Sequence, residues 1–226
     1  MALKMLVTGY PRGATRWAFQ VLSGAGCDVG FCSVFSELTT EQAAHKAVLD
    51  APHEIEVSWF GAPFIHHPAL SDVTIVRLER HPLAVASSLY WLGACREGRN
   101  GYMDKWYHFM IRHAKELNEW YQGRAMQGSL YFVCEWAENI LQLSTHDDTC
   151  VKVEDGAKAL LTACNVTEYS ELKATSPCNV SGCAQPDLVE VRGMPIGSRL
   201  FSLLAERGYA ESSWHAPETI EDCYVR

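Results

Sequence analysis

Short apolar runs alternate with stretches of helical periodicity from the first residues onward. Leu3–Thr8 is an apolar run of strand length, and Thr15–Ala25 carries its apolar residues at helical spacing. Thr39-x-x-Gln42 has the form of a capping box that opens a helix running to about Leu49. His53–Trp59 and Val73–Leu78 read as strands, the second rich in β-branched residues. Pro82 stands where a first helical turn tolerates proline, and Leu83–Ala94 continues as a helix. Tyr102–Tyr121 carries Trp106, Phe109, Ile111, Leu117 and Trp120 as a helical stripe. Leu130–Leu143 has mixed periodicity and is read as helix. Thr149–Val153 is a short strand, Asp155–Cys164 a helix and Tyr169–Val191 a loop. Ser198–Arg207 is a last helix, stopped by Gly208. Such alternation predicts an α/β sandwich built on a largely parallel sheet.

A chain of 226 residues fits one domain spanning 1–226 better than two. Hydrophobic residues make up 48%, enough to fill a core. The longest apolar runs are strand-sized and broken by charges, so no membrane span is expected. Before Pro11 there is one Lys and too short an apolar run for a signal peptide, which points to a cytoplasmic protein. The nine cysteines are odd in number and scattered, the pattern of free thiols in a reducing compartment. Cys27/Cys32 and Cys178/Cys183 each have C-x4-C spacing, but a zinc site would need a strand order that joins them, and no metal is expected. Sequons at Asn165 and Asn179 have no secretory signal to give them meaning. The net charge of −8 argues against nucleic acid as a partner. It leaves room for a small anion held by a local cluster of Arg and helix termini.

Two segments carry candidate chemistry. Gly9-Tyr-Pro-Arg-Gly-Ala-Thr-Arg-Trp17 joins a strand to a helix through a turn of small residues, the form of a cradle for a phosphate-like anion. It lacks the Lys of G-x-x-x-x-G-K-[ST], and no G-x-G-x-x-G is present. Alone, it is also consistent with an ordinary turn punctuated by Pro11 and Gly13. The second segment, Val76–Ser88, leaves a strand and enters a helix. A guanidinium at a strand end, Arg80, can bind phosphate through two parallel hydrogen bonds. Ser88, about two turns into the helix, can add a hydroxyl. For either residue alone, a salt bridge or a small packing residue is the plainer reading.

Together the two segments resemble the PAPS-dependent sulfotransferases. That family's 5′-phosphosulfate loop reads Y-P-[KR]-[SA]-G-[TS]-[TS]-W, and Tyr10, Pro11, Arg12, Thr15 and Trp17 match it. Gly13-Ala14 stands for Ser/Ala-Gly, and Arg16 for a hydroxyl residue. If the family's Gly uses a positive φ, the turn must differ here, because Ala tolerates that conformation poorly. Arg16 either grips phosphate or points outward. The family's R-[ND]-P-x-x-V-x-x-S is matched by Arg80, Pro82, Val85 and Ser88. Val151–Asp155 resembles its strand-ending Y-E-D, and Val191–Gly197 its late R-x-G-x-x-G.

The resemblance implies a P-loop-like three-layer sandwich, with a central, mainly parallel sheet flanked by helices. It implies in-line transfer of a sulfuryl group from PAPS to a hydroxyl or amine of a carbohydrate or small-molecule acceptor, leaving PAP, without a metal. Arg12 would be the catalytic cation. The backbone amides of Gly13, Ala14, Thr15, Arg16 and Trp17 would hold the 5′-phosphosulfate, and Trp17 would pack on adenine. Arg80 and Ser88 would hold the 3′-phosphate, with Arg192 and Gly193 closing on it. The acceptor must lose a proton. The place of the K-T-H-x-P base found in many members falls on Ser58. Glu56-Val-Ser-Trp59 resembles the E-K-[ST] of glycan sulfotransferases, which makes Glu56 the expected base, although Val57 replaces the Lys. His66, His67, Glu37 and Glu54 are lesser candidates. Trp59, Trp91, Trp106, Trp120 and Trp136 would line an acceptor pocket or fill the core. The alternatives are a P-loop small-molecule kinase or NTPase, whose Walker Lys and Mg²⁺ ligands this turn does not offer, and a catalytically inactive nucleotide-binding relative.

Overall fold

The computed structural model describes residues 2–92, 102–114, 125–143, 149–169 and 188–209. The chain divides into two compact units, one of Met1–Arg80 with His146–Pro177, the other of His81–Thr145 with Cys178–Arg226.

The first unit is built on a five-stranded sheet of β1 (Met5–Gly9), β2 (Val29–Phe31), β3 (Ile55–Val57), β4 (Thr74–Glu79) and β5 (Cys150–Lys152). Their order is β2-β3-β1-β4-β5, and every pairing is parallel. Register aligns Val7 with Val57 on one side and Val76 on the other, and Leu78 with Val151. Because side chains alternate along a strand, these aligned residues share one face. Helices α1 (Thr15–Gly24) and α6 (Gly156–Ala163) cover that face through Trp17, Ala18, Val21, Leu22, Leu160 and Leu161. Leu6 points to the other face, against Gly61 in a 3₁₀ turn at Trp59–Phe64. Helix α2 (Glu41–Leu49) joins β2 to β3, and right-handed crossover directs it to this second face. The result is an α/β unit with a wholly parallel sheet between helical layers.

Several boundaries differ from the sequence reading. The cap of α2 is Thr40, whose Oγ1 accepts from the Ala43 N–H at 3.3 Å. Thr39 instead accepts from the Ser36 N–H at 2.8 Å, so its hydroxyl closes the preceding turn. Strand β2 was not anticipated: Val-Gly-Phe is too short to show a period. Gly30 is there for space, since a Cβ would come within 2.8 Å of the Glu56 carboxylate. The apolar run His53–Trp59 splits into three strand residues and the 3₁₀ turn, which Pro63 continues.

The second unit is helical where it is described. It holds α3 (Pro82–Leu92), α4 (Tyr102–His113), α5 (Ala125–Glu135), which runs into a π-helical turn at Trp136–Ile140, α7 (Leu188–Gly193) and α8 (Gly197–Glu206). Trp136 is fully buried, its ring tilted against Phe132 with centroids 4.9 Å apart. Arg199 of α8 forks onto Glu138 with bonds of 2.6 and 3.1 Å, a part-exposed pair worth at most about 1 kcal/mol. The ends expected for α3 and α4, and most of the Tyr169–Val191 segment, fall outside the described residues. The part of that segment that is described includes the start of α7, where a loop was expected. Among the described residues no helix is long and apolar enough to cross a membrane.

Burial of His113 at the end of α4, with Arg112 beside it, pushes its pKa from 6.5 down to about 4. The folded chain therefore keeps His113 neutral where the unfolded chain takes up a proton. Its contribution is complete above pH 6.5 and is lost as pH falls toward 4. The urea midpoint should fall across that window, and His113→Phe should make the fall shallower. An unchanged slope would contradict the burial of a neutral imidazole.

Candidate functional site

Strand order reverses at β1. The chain leaves it through α1 toward β2, while β4 pairs on its other edge. In open parallel sheets, ligands bind beyond the carboxyl ends of the strands at such a switch point. The residues there are Tyr10 to Ala14. Tyr10 is wholly buried and anchors the turn. The Gly13 N–H donates to the Tyr10 carbonyl at 2.8 Å. A Cβ on Gly13 would lie 2.8 Å from that same carbonyl oxygen, so only glycine allows the approach.

Arg12 and Ala14 both have left-handed backbones, with φ of 65° and 67°. For residues with a side chain this conformation costs on the order of 1 kcal/mol each. Ala14 thus takes the strained conformation itself, and the turn keeps the positive φ that a glycine would supply. Opposing this strain, the Arg80 guanidinium donates through Nη1 to the Arg12 carbonyl at 2.7 Å. The two segments singled out in the sequence, sixty-eight positions apart, meet in this bond.

Beyond the turn, α1 begins with Thr15, Arg16 and Trp17. The first bond from within the helix runs from the Ala18 N–H to the Ala14 carbonyl at 3.0 Å, so the amides before it point out of the helix end. The first turn has no acidic residue and no side-chain cap. Arg16 is exposed and Arg12 half-buried. A positive residue in the first turn opposes the helix dipole unless an anion sits there. Two expectations need correction. The Gly13 amide is used inside the turn, so the amides facing outward start after it. Trp17 is only 4% exposed and belongs to the core under α1, so it offers adenine no open ring face.

Glu56, expected as the base, lies on β3 and is fully buried. Oε1 accepts from the Ser33 N–H at 2.7 Å and the Val34 N–H at 3.0 Å, and Oε2 accepts from the Ser33 hydroxyl at 2.7 Å. Burial pushes its pKa up, and these donors hold it back. This is the geometry of an anchor for the segment after β2. Next to it, the Thr8 hydroxyl donates to the Ser58 carbonyl at 2.7 Å, and the Ser58 hydroxyl lies 3.5 Å from the Phe35 carbonyl. Ser33 and Val34 escaped the sequence reading because their link to Glu56 is non-local. Gly30, under the carboxylate, was the only local sign of it.

The other candidates lie elsewhere. Glu54 pairs with Lys4 at 2.6 Å, ahead of β1 and so at the opposite end of the sheet from the turn. His67 caps the 3₁₀ turn Pro68–Leu70, accepting from the Ala69 N–H at 3.2 Å, and His66 is exposed. Glu37 is half-buried in the segment between β2 and α2. In the second unit, Ser88 is buried on α3, Arg192 lies 4.5 Å over the Phe201 ring, and Gly193 ends α7 exposed. Cys27, Cys32, Cys134, Cys150 and Cys164 are free thiols, and burial raises Cys32 to about 11 and Cys164 to about 12. No cluster able to hold a metal ion occurs among the described residues. Cys178 and Cys183 lie outside them.

Ala14→Gly should raise stability by roughly 0.5–1 kcal/mol, while Gly13→Ala should lower it by about 2 kcal/mol. Urea unfolding reads both, and a loss in Ala14→Gly would contradict the left-handed assignment. At Glu56, Gln keeps an acceptor for both amides and a partner for the Ser33 hydroxyl. Glu56→Gln should therefore cost about 1 kcal/mol or less, and Glu56→Ala about 3 kcal/mol, by leaving buried donors unmet. The raised Glu56 pKa also makes the folded state bind a proton the unfolded state has released. Its share of stability falls as pH rises from 4.5 through the folded pKa, and Glu56→Gln should remove that fall. No known family model, curated protein or solved structure matches this chain, so its function is argued from the geometry of the turn.

Proposed function

We propose that the chain is a P-loop-like sulfotransferase that binds PAPS at the Tyr10–Trp17 turn and transfers its sulfuryl group to an acceptor hydroxyl or amine. The observation that carries this is the left-handed turn at the switch point of the sheet, bonded through the Arg12 carbonyl to Arg80. The strand order β2-β3-β1-β4-β5, with the turn after the central strand, supports the P-loop-like assignment.

The donor set fits an anionic group. It comprises a guanidinium on Arg12, the first amides of α1, the Thr15 hydroxyl and the exposed Arg16, with no carboxylate in the first helical turn. Every one of these favours negative charge at the helix end. PAPS would supply an activated sulfuryl group whose bond to the 5′-phosphate breaks as the bond to the acceptor oxygen or nitrogen forms. The chain's part is to orient that group and stabilise charge on the departing phosphate. Arg12 cannot lose its proton near neutral pH and serves as a fixed cation. Glu56 fixes the segment Ser33–Phe35 at the carboxyl edge of the sheet. A hydroxyl or amine acceptor, carbohydrate or small molecule, is the substrate class proposed, and a cytoplasmic location goes with it.

One observation favours a second reading. Glu56, the expected base, is fully buried and its carboxylate is taken by Ser33 and Val34, as in a nucleotide-binding relative without transfer activity.

Transfer of labelled sulfate from PAPS to a mixture of acceptors separates the two. Activity is expected in the parent chain, and Arg12→Ala should lower turnover by roughly two to three orders of magnitude with the fold intact. Unchanged turnover in that variant would sink the catalytic role of Arg12. A thermal shift gives the nucleotide class. PAP at about a hundred times its Kd should add about 2.7 kcal/mol of stability, and ATP should add less. Greater protection by ATP with Mg²⁺ would favour a kinase or NTPase.

A further inference from the structure

We infer that Arg80 is a positioning residue for Arg12, acting through the Arg12 carbonyl, separately from any contact with a 3′-phosphate. The kinetic consequence rests on the phosphosulfate function proposed above. The conformational consequence rests on geometry alone.

A peptide unit is planar, so the carbonyl of Arg12 and the N–H of Gly13 turn together. Both ends of this one plane are tied. Arg80 Nη1 donates to the carbonyl end at 2.7 Å, and the amide end donates to the Tyr10 carbonyl at 2.8 Å. The first tie reaches across from the end of β4, and the second closes the turn on itself. Arg12 is held at φ 65°, a conformation an arginine seldom adopts. Releasing the carbonyl end frees the plane to turn about ψ of Arg12 and φ of Gly13, and without that tie φ of Arg12 can relax to negative values. This second rotation, about the Arg12 N–Cα bond, swings the Arg12 Cβ and with it the direction of the guanidinium. It also breaks the Gly13–Tyr10 bond and loosens the entry to α1.

Arg80 is suited to this. It follows the last strand residue directly and is only 9% exposed, so its side chain has little freedom. Its donors are set in a rigid plane, whereas a lysine offers a point charge on a flexible stem. Resemblance alone gives this residue a phosphate to hold. The bond to the turn gives it a second task, present without any ligand.

The test uses the full chain with Arg80→Gln and the milder Arg80→Lys. Limited trypsin digestion under native conditions reads the turn directly, because the scissile bond Arg12–Gly13 is the tied peptide. Cleavage there should rise by at least roughly tenfold in Arg80→Gln, the scale expected when a charge-assisted hydrogen bond is lost. The Lys46–Ala47 bond in α2, at an exposed lysine away from the turn, reports general loosening and should change much less. If cleavage at Arg12–Gly13 stays at the parent rate, or both bonds accelerate alike in both variants, the positioning role is overturned.

The kinetic readout compares PAPS with adenosine 5′-phosphosulfate, which lacks the 3′-phosphate. A positioning residue lowers kcat with both donors by a similar factor. A residue that only holds the 3′-phosphate raises KM for PAPS and leaves the shorter donor untouched, and that result would also overturn the inference. If the parent chain uses neither donor, the sulfotransferase proposal fails, while the digestion still decides the role of Arg80.

Discussion

The candidate site depends on one hydrogen bond, from the Arg80 guanidinium to the Arg12 carbonyl. The turn it holds contains two non-glycine residues in left-handed conformations, Arg12 and Ala14. Left alone, such a turn would relax. Four features oppose relaxation: the buried Tyr10, the contact that only Gly13 permits, the start of α1 at Thr15, and Arg80. Strain kept in place by its surroundings is common where a backbone must present groups to a ligand. The strain here lies at the switch point of the sheet, the position where topology itself favours binding.

The first turn of α1 carries positive charge and no carboxylate. The helix end carries Arg16 where a carboxylate is usual, and Arg12 lies half-buried beside it. The Glu56 carboxylate is turned into its own donors on Ser33 and Val34. Its burial therefore does not offset the positive turn with a solvent-facing negative charge. It steadies the carboxyl edge of β2 and β3, and the Thr8–Ser58–Phe35 contacts continue this bracing to the end of β1. The strained turn and the braced edge are separate features, carried by residues that sequence resemblance had grouped into one catalytic set.

Much of the first unit was legible in the sequence because its signals are local. Leu3–Thr8 and Val73–Leu78 are apolar runs of strand length, and both became central strands with ends shifted by a residue or two. Helices α1 and α6 followed their periodicity for the same reason. Strand β2 was not legible, since three residues carry no period and its place depends on pairing with β3. The cap of α2 moved from Thr39 to Thr40 because the Thr39 hydroxyl is taken by the Ser36 N–H of the preceding turn, a bond that the capping spacing does not show. At the site, the sequence pointed to Arg12 and Arg80, and their contact is a non-local fact that only the fold supplies. The roles of Trp17 and Glu56 were misjudged together. Residue type and motif position suggest chemistry, whereas burial in the core beneath α1, or against Ser33, is decided by the helix or strand face each residue occupies.

The central claim is that the amides and guanidinium of the Arg12–Trp17 turn receive the 5′-phosphate end of a PAPS-type nucleotide. A crystal of the chain soaked with PAP measures this most directly. Density for the 5′-phosphate should lie within hydrogen-bonding distance of the Thr15 and Arg16 amides and the Arg12 guanidinium, with the Arg80–Arg12 bond still in place. PAP bound with its phosphates away from this turn, or a turn that has relaxed to negative φ at Arg12 and Ala14 around the ligand, would contradict the account.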